Sequence, residues 1–181
     1  SFSALLMLSL APWFVLAPGV ADDVYGTGAV YGFHESCFGI GMIIGSLVAG
    51  RLDVGRPLRT ALLLMIPWPS QFILFGLGAP VAMVYTAALV AGAGMGVFNV
   101  FWQASLAAWI PPERLSRVTS WDWMGSTVLM PLGYVLAGPV SGLMPARDIV
   151  VSAGCIGAMC IAAAMIPKST RTLGPGPAST G

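Results

Sequence analysis

Six long apolar runs fill this chain, and short polar knots between them hold most of its charge. A helix rises 1.5 Å per residue, so about 20 apolar residues cross the hydrocarbon of a bilayer. The runs predict helices over about 2–20, 29–50, 58–78, 81–110, 118–143 and 149–166. Pro67, Trp68 and Pro69 interrupt the third run, and Pro131 is an expected kink in the fifth. The fourth is long enough to tilt. The pattern predicts one helical unit over residues 1–167 and a disordered tail over 168–181, which is rich in Pro, Gly and Ser.

Composition decides the solvent. Charged residues make up 8% of the 181 positions and apolar residues 57%, with a mean hydropathy of +0.86. A soluble domain carries roughly 25% charge, so this chain could not cover its surface in water. The fold class read here is an all-α membrane protein whose main partner is the lipid bilayer. A net charge of +1, with no basic run and no zinc-ligand spacing, points away from nucleic acid, metals and cofactors. Cys37, Cys155 and Cys160 all fall in apolar runs and read as small packing residues.

Charge also sets direction. Arg51, Arg56 and Arg59 follow the second run, Arg114 and Arg117 the fourth, and Lys168 and Arg171 the sixth. Arg147 alone falls on the other side. The bias of basic residues toward the cytoplasm then places the even connections and the C-terminus inside, in a plasma (inner) membrane. The first residue is Ser1 and the first basic residue is Arg51, so no signal peptide is legible near Ser1. The chain reads as a piece of a longer one or as a processed product.

Without a hydrophobic drive between helices in lipid, close contact needs small residues. Cys37, Gly41, Gly45 and Ala49 form one such stripe. Gly133, Ala137 and Ser141 form a second, and Gly154, Ala158 and Ala162 a third. On the fourth run, Tyr85, Ala88, Gly92, Gly96, Asn99 and Gln103 share a face that is small in the middle and polar at one end. That face either lines an aqueous cavity or packs against a neighbour.

Two carboxylates fall within the apolar runs or at their edge: Glu35, beside His34, and Asp122, between Trp121 and Trp123. Asp122 either stabilises the first turn of a helix capped by Thr119 or Ser120, or titrates and contacts another helix. Glu35 either snorkels to the interface or titrates. Pairing with His34 is weak on spacing, since adjacent residues on a helix diverge. An intramembrane serine protease finds little support, because the stretch GPVSG lacks the glycine two before Ser141.

Two stretches carry a family resemblance. The first, GSLVAGRLDVGRPLR, residues 45–59, is similar to a shortened form of the loop motif of the major facilitator superfamily, with Asp53 one position early and Gly55 and Arg56 matching its close. The second, NVFWQASLAAWIPPERLSRVTSWDWMGSTVLMPLGYVLAGP, residues 99–139, resembles bacterial efflux members, the enterobactin-exporter-like branch above all. The resemblance implies the C-terminal half of such a transporter: six helices forming one lobe of two inverted three-helix repeats, paired with a missing N-terminal lobe from the same gene or a partner copy. It implies alternating access for efflux of a small organic molecule of the drug or siderophore class, driven by protons. Tyr85, Gly92, Gly96, Asn99 and Gln103 would then be substrate-cavity residues. Glu35 and Asp122 would couple protons, and Asp53, Gly55, Arg56, Glu113 and Arg114 would form a cytoplasmic gate. The same topology also fits a degenerate, non-transporting module, or a half-transporter that dimerises.

Overall fold

A computed structural model describes the backbone of residues 2–52 and 54–166, and their side chains except at 2–9, 112, 122, 126, 129 and 136. The expected disordered tail and Asp53 lie outside the described residues. Eight helices and no strand occur among those described: α1 (Phe2–Tyr25), α2 (Ala29–Ala49), α3 (Pro57–Leu64), α4 (Ser70–Gly76), α5 (Val81–Trp109), α6 (Pro112–Thr127), α7 (Leu129–Ser141) and α8 (Ala146–Ala164). Among them α2, α5 and α8 are each long and apolar enough to cross a membrane.

Prolines, rather than capping hydroxyls, start most of these helices. Pro57 and Pro112 open α3 and α6 at the first turn, where a missing N–H costs nothing. Pro69, Pro80, Pro111 and Pro145 stand at the N-caps of α4, α5, α6 and α8. Glycine ends two helices. Gly26 at φ 75° follows α1, and Gly78 at φ 71° follows α4. After α4 the Ala79 N–H donates to the Leu74 carbonyl at 3.0 Å and the Gly78 N–H to Phe75 at 3.2 Å, a Schellman closure that only a left-handed residue completes without strain.

The third predicted helix is two. Tight turns carry the chain past Pro67–Trp68–Pro69, with the Trp68 N–H bonded to Met65 at 2.9 Å and Ser70 to Pro67 at 3.1 Å. Separately, α3 and α4 measure about 12 Å and 10 Å, each too short to span a bilayer. The fifth predicted helix is also divided, at Val128. Pro131 accounts for the place: its ring opposes the carbonyl four residues back, and it offers no N–H in return.

The start of the fifth helix corrects the sequence reading. Helix α6 begins at Pro112, six residues before the predicted boundary, so the expected loop over Glu113, Arg114 and Arg117 is helical. Ile110 and Pro111 are extended (ψ 126° and 141°), as a residue before proline must be, and Pro112 then turns the chain into α6. Thr119 and Ser120 therefore cap nothing. They lie inside the helix, where Ser120 Oγ donates back to the Ser116 carbonyl at 2.8 Å.

Helix α2 lies along α5 in the most extensive contact of the molecule, while α1 touches α2, α6, α7 and α8 and so occupies the middle. The α2–α5 seam is built from glycine on both sides. A Cβ added to Gly41 or Gly45 would overlap the carbonyl oxygens of Leu89 and Ala93. One added to Gly92 or Gly96 would overlap those of Phe38 and Met42. The stripe predicted on the sixth run is rotated. Ala158 and Ala162 are exposed, and the buried line is Gly154, Gly157 and Ile161. Trp68 explains this: it fills the space over Gly157, where a Cβ would stand 2.9 Å from its ring.

Candidate functional site

The polar groups that matter converge on one buried aromatic residue. Trp13, from α1, is 2% exposed and meets Phe72 and Phe75 of α4 edge-on at 4.9 and 4.8 Å. It lies tilted against His34 of α2 at 4.8 Å. Edge-to-face geometry brings ring hydrogens onto the electron-rich faces, so the cluster is cohesive as well as apolar. A buried indole N–H needs an acceptor, and Trp13 Nε1 donates to Glu35 Oε1 at 3.0 Å.

The same oxygen lies 3.2 Å from His34 Nδ1. Adjacent positions on α2 thus meet after all, because the Trp13 donor draws the Glu35 carboxylate inward. A carboxylate acceptor favours the Nδ1–H tautomer of His34. That leaves His34 Nε2 buried with no partner among the described residues. Glu35 keeps 35% of its side chain exposed, while His34 keeps 1%.

Beside this triad lies a cavity of about 200 Å³ reached from α1, α2, α4, α5 and α7. Among the described residues its polar lining is Glu35 and Gln71; the others are aromatic or aliphatic, including Trp13, Phe38 and Trp68. Gln71 is 1% exposed, and its Oε1 has no hydrogen-bond partner among the described residues. A larger groove of about 440 Å³ lies between α4 and α5, but it is more open and its hydroxyls are already satisfied: Ser70 by Pro67, and Thr86 by Ala82.

The predicted cavity face of α5 is divided by the fold. Gly92 and Gly96 are buried in the seam against α2, with no room for even a methyl group. Tyr85 is half-buried, its ring 6.2 Å from Phe33 of α2. Asn99 is half-buried and Gln103 exposed. The structure therefore does not gather these five residues around one space.

Of the predicted gate residues, Gly55, Arg56, Glu113 and Arg114 are exposed, and no ion pair joins them among the described residues. Arg147 and Asp148 pair at 3.4 Å, both well exposed. Asp122 lies in the third turn of α6, too far from the helix start to gain from the dipole. Its neighbours Trp121 and Trp123 are 70% and 65% exposed.

Sequence reasoning missed Trp13 and Gln71. Trp13 sits 22 residues from Glu35, and nothing in its own apolar run distinguishes it. Gln71 carried a usable signal, since it is the sole amide in the third run and a polar group in lipid is costly unless it has a task.

A search among curated proteins and another among solved structures return no match. The family model described as Major Facilitator Superfamily matches residues 1–180. With that match over helices built for lipid, the chain is a membrane protein and belongs to the major facilitator superfamily of transporters.

Proposed function

We propose that the chain is the C-terminal lobe of a proton-coupled exporter that moves a small organic molecule by alternating access. The observation that carries this reading is Glu35. It is a carboxylate on an apolar helix, bonded to a buried tryptophan and touching a buried histidine, and it borders a cavity. A charge at the bilayer centre costs about 2.5–3.5 kcal/mol on insertion scales and less about two turns into α2, where Glu35 lies; a carboxylate kept there and tied to buried partners suits a proton-binding task. Asp122 is the second coupling group, the capping explanation having lapsed with the early start of α6.

In this reading α3 with α4, and α6 with α7, each act as one crossing, giving six. The missing lobe packs on faces that are apolar yet exposed, such as Ile40, Ile43 and Leu47 of α2. Asn99 and Gln103, at the far end of α5, contact substrate between the lobes, and Tyr85 flanks it. Gly92 and Gly96 act indirectly, by holding α5 close to α2. Asp53, Gly55, Arg56, Glu113 and Arg114 form the gate in another state of the cycle, where pairs among the charged ones, each worth roughly 0–1 kcal/mol, form and break easily.

The test is transport by the complete reading frame in proteoliposomes. Glu35→Gln is expected to lose efflux driven by a pH gradient at least tenfold while keeping substrate exchange without a gradient. Asp122→Asn is expected to lower gradient-driven efflux at unchanged abundance. Both variants transporting normally would remove proton coupling from this lobe. A phosphatase reporter fused near residue 115 is expected to be inactive, as cytoplasmic fusions are; activity there would invert the topology.

A further inference from the structure

We infer that the cavity beside Trp13 is a ligand site inside the lobe itself, for a small primary amine carried on a ring or short chain. Its walls come from α1, α2, α4, α5 and α7 of this one chain.

Three features of the lining select a cationic donor. Among the described residues Glu35 is its one charged group. Oε1 of Glu35 is occupied by Trp13, while Oε2 accepts no hydrogen bond among the described residues. Gln71 is 1% exposed with a carbonyl oxygen that has no partner among the described residues, and a buried acceptor left unmade is costly until a donor arrives. Around them stand Trp13, Phe38, Trp68 and Phe72, whose ring faces attract positive charge and repel anions. No lysine or arginine among the described residues lines the space. An ammonium has three donors, which matches one free carboxylate oxygen, one amide oxygen and a ring face. A carboxylic acid would meet Glu35 with like charge, and an alcohol would leave the charge uncompensated.

Size narrows the class. At about 200 Å³ the cavity falls below the roughly 300–1,000 Å³ of drug-sized sites, so it admits a single ring with a short arm. Because binding needs neither a second lobe nor a gradient, the site stands or falls independently of the transport reading.

The experiment is a binding titration on the chain in lipid nanodiscs at pH 7, followed by tryptophan emission. The probes are 2-phenylethylamine, 2-phenylethanol, 3-phenylpropionate and tetraphenylphosphonium. The amine is expected to bind saturably and at least tenfold more tightly than the alcohol, with no saturable binding of the acid. Tetraphenylphosphonium, a cation without donors and too large for the space, is expected not to displace the amine. Glu35→Gln should weaken amine binding about tenfold and Gln71→Leu about threefold, each with unchanged helicity. Equal binding of amine and alcohol, displacement by the bulky cation, or no saturable amine binding to the unaltered protein would each overturn the inference. These readings on the unaltered chain decide it even if a variant fails to fold.

Discussion

Gly41→Ala is expected to unfold the chain far more readily than the parent, while Gly39→Ala, two residues away on the same helix, stabilises it. Both glycines lie inside α2, where alanine is intrinsically better by about 0.8–1.0 kcal/mol. Nothing stands within 4 Å of a Cβ at position 39, so that gain is kept. At position 41 the new methyl would overlap the Leu89 carbonyl oxygen and stand 2.9 Å from the Ala93 nitrogen. Those are backbone atoms of α5 and cannot turn aside as a side chain would. The helices must separate, and overpacking of this kind costs about 3 kcal/mol. Gly92→Ala acts on the same seam from α5, against Phe38 and Met42. Once one methyl has opened the seam, the second should cost less than the first, so the double variant should be less than additive. Equilibrium unfolding in mixed detergent micelles compares the four variants with the parent. If Gly39→Ala and Gly41→Ala shift the midpoint alike, the glycine seam is wrong.

Trp13→Ala is expected to be the most damaging substitution on α1. The side chain is 2% exposed and meets rings from α2 and α4. Truncating a buried tryptophan to alanine costs about 3–5 kcal/mol, and here it also strips Glu35 of its indole donor. Trp13→Phe separates the two effects. It keeps a ring for Phe72 and Phe75 but offers no N–H, and the loss of one hydrogen bond to a charged group is worth about 1.5–3 kcal/mol at most. Glu35 is partly exposed and can recruit water, so the lower end is expected. Thermal unfolding in detergent should rank parent above Trp13→Phe above Trp13→Ala. Identical midpoints for the two variants would mean that the ring contacts contribute nothing beyond the bond to Glu35.

These two sites differ in how far they can be read from sequence. The Cys37, Gly41, Gly45 and Ala49 stripe is visible as a four-residue repeat; Gly41, Gly45 and Ala49 are buried, as small residues packed in lipid should be, while Cys37 is half-buried. The same rule chose Ala158 and Ala162 on the sixth run and missed Gly157, because nothing in a run of small residues tells which of them Trp68 will cover. The Trp13–Glu35 bond joins positions 22 apart on different helices, and no local pattern carries that information. Conversely, Pro111–Pro112 marks the start of α6 in the sequence, whereas the apolar run begins six residues later, because the first turns of this helix are polar.

What the sequence alone determined is the solvent, the helical class and the prolines and glycines at which the chain turns, though α1 runs to Tyr25 where an end near residue 20 is expected. Those follow from charge content, from run length against bilayer thickness, and from prolines and glycines acting within a few residues. The tertiary structure decided which face of each helix meets which neighbour, and hence that Glu35 joins Trp13 and His34. The reason is that lipid is as apolar as a protein interior, so an embedded helix has no wet face to contrast with a dry one. Its rotation about its own axis is then set by shape, by where a backbone can approach a glycine or a ring can cover one, and shape exists only once the partners are assembled.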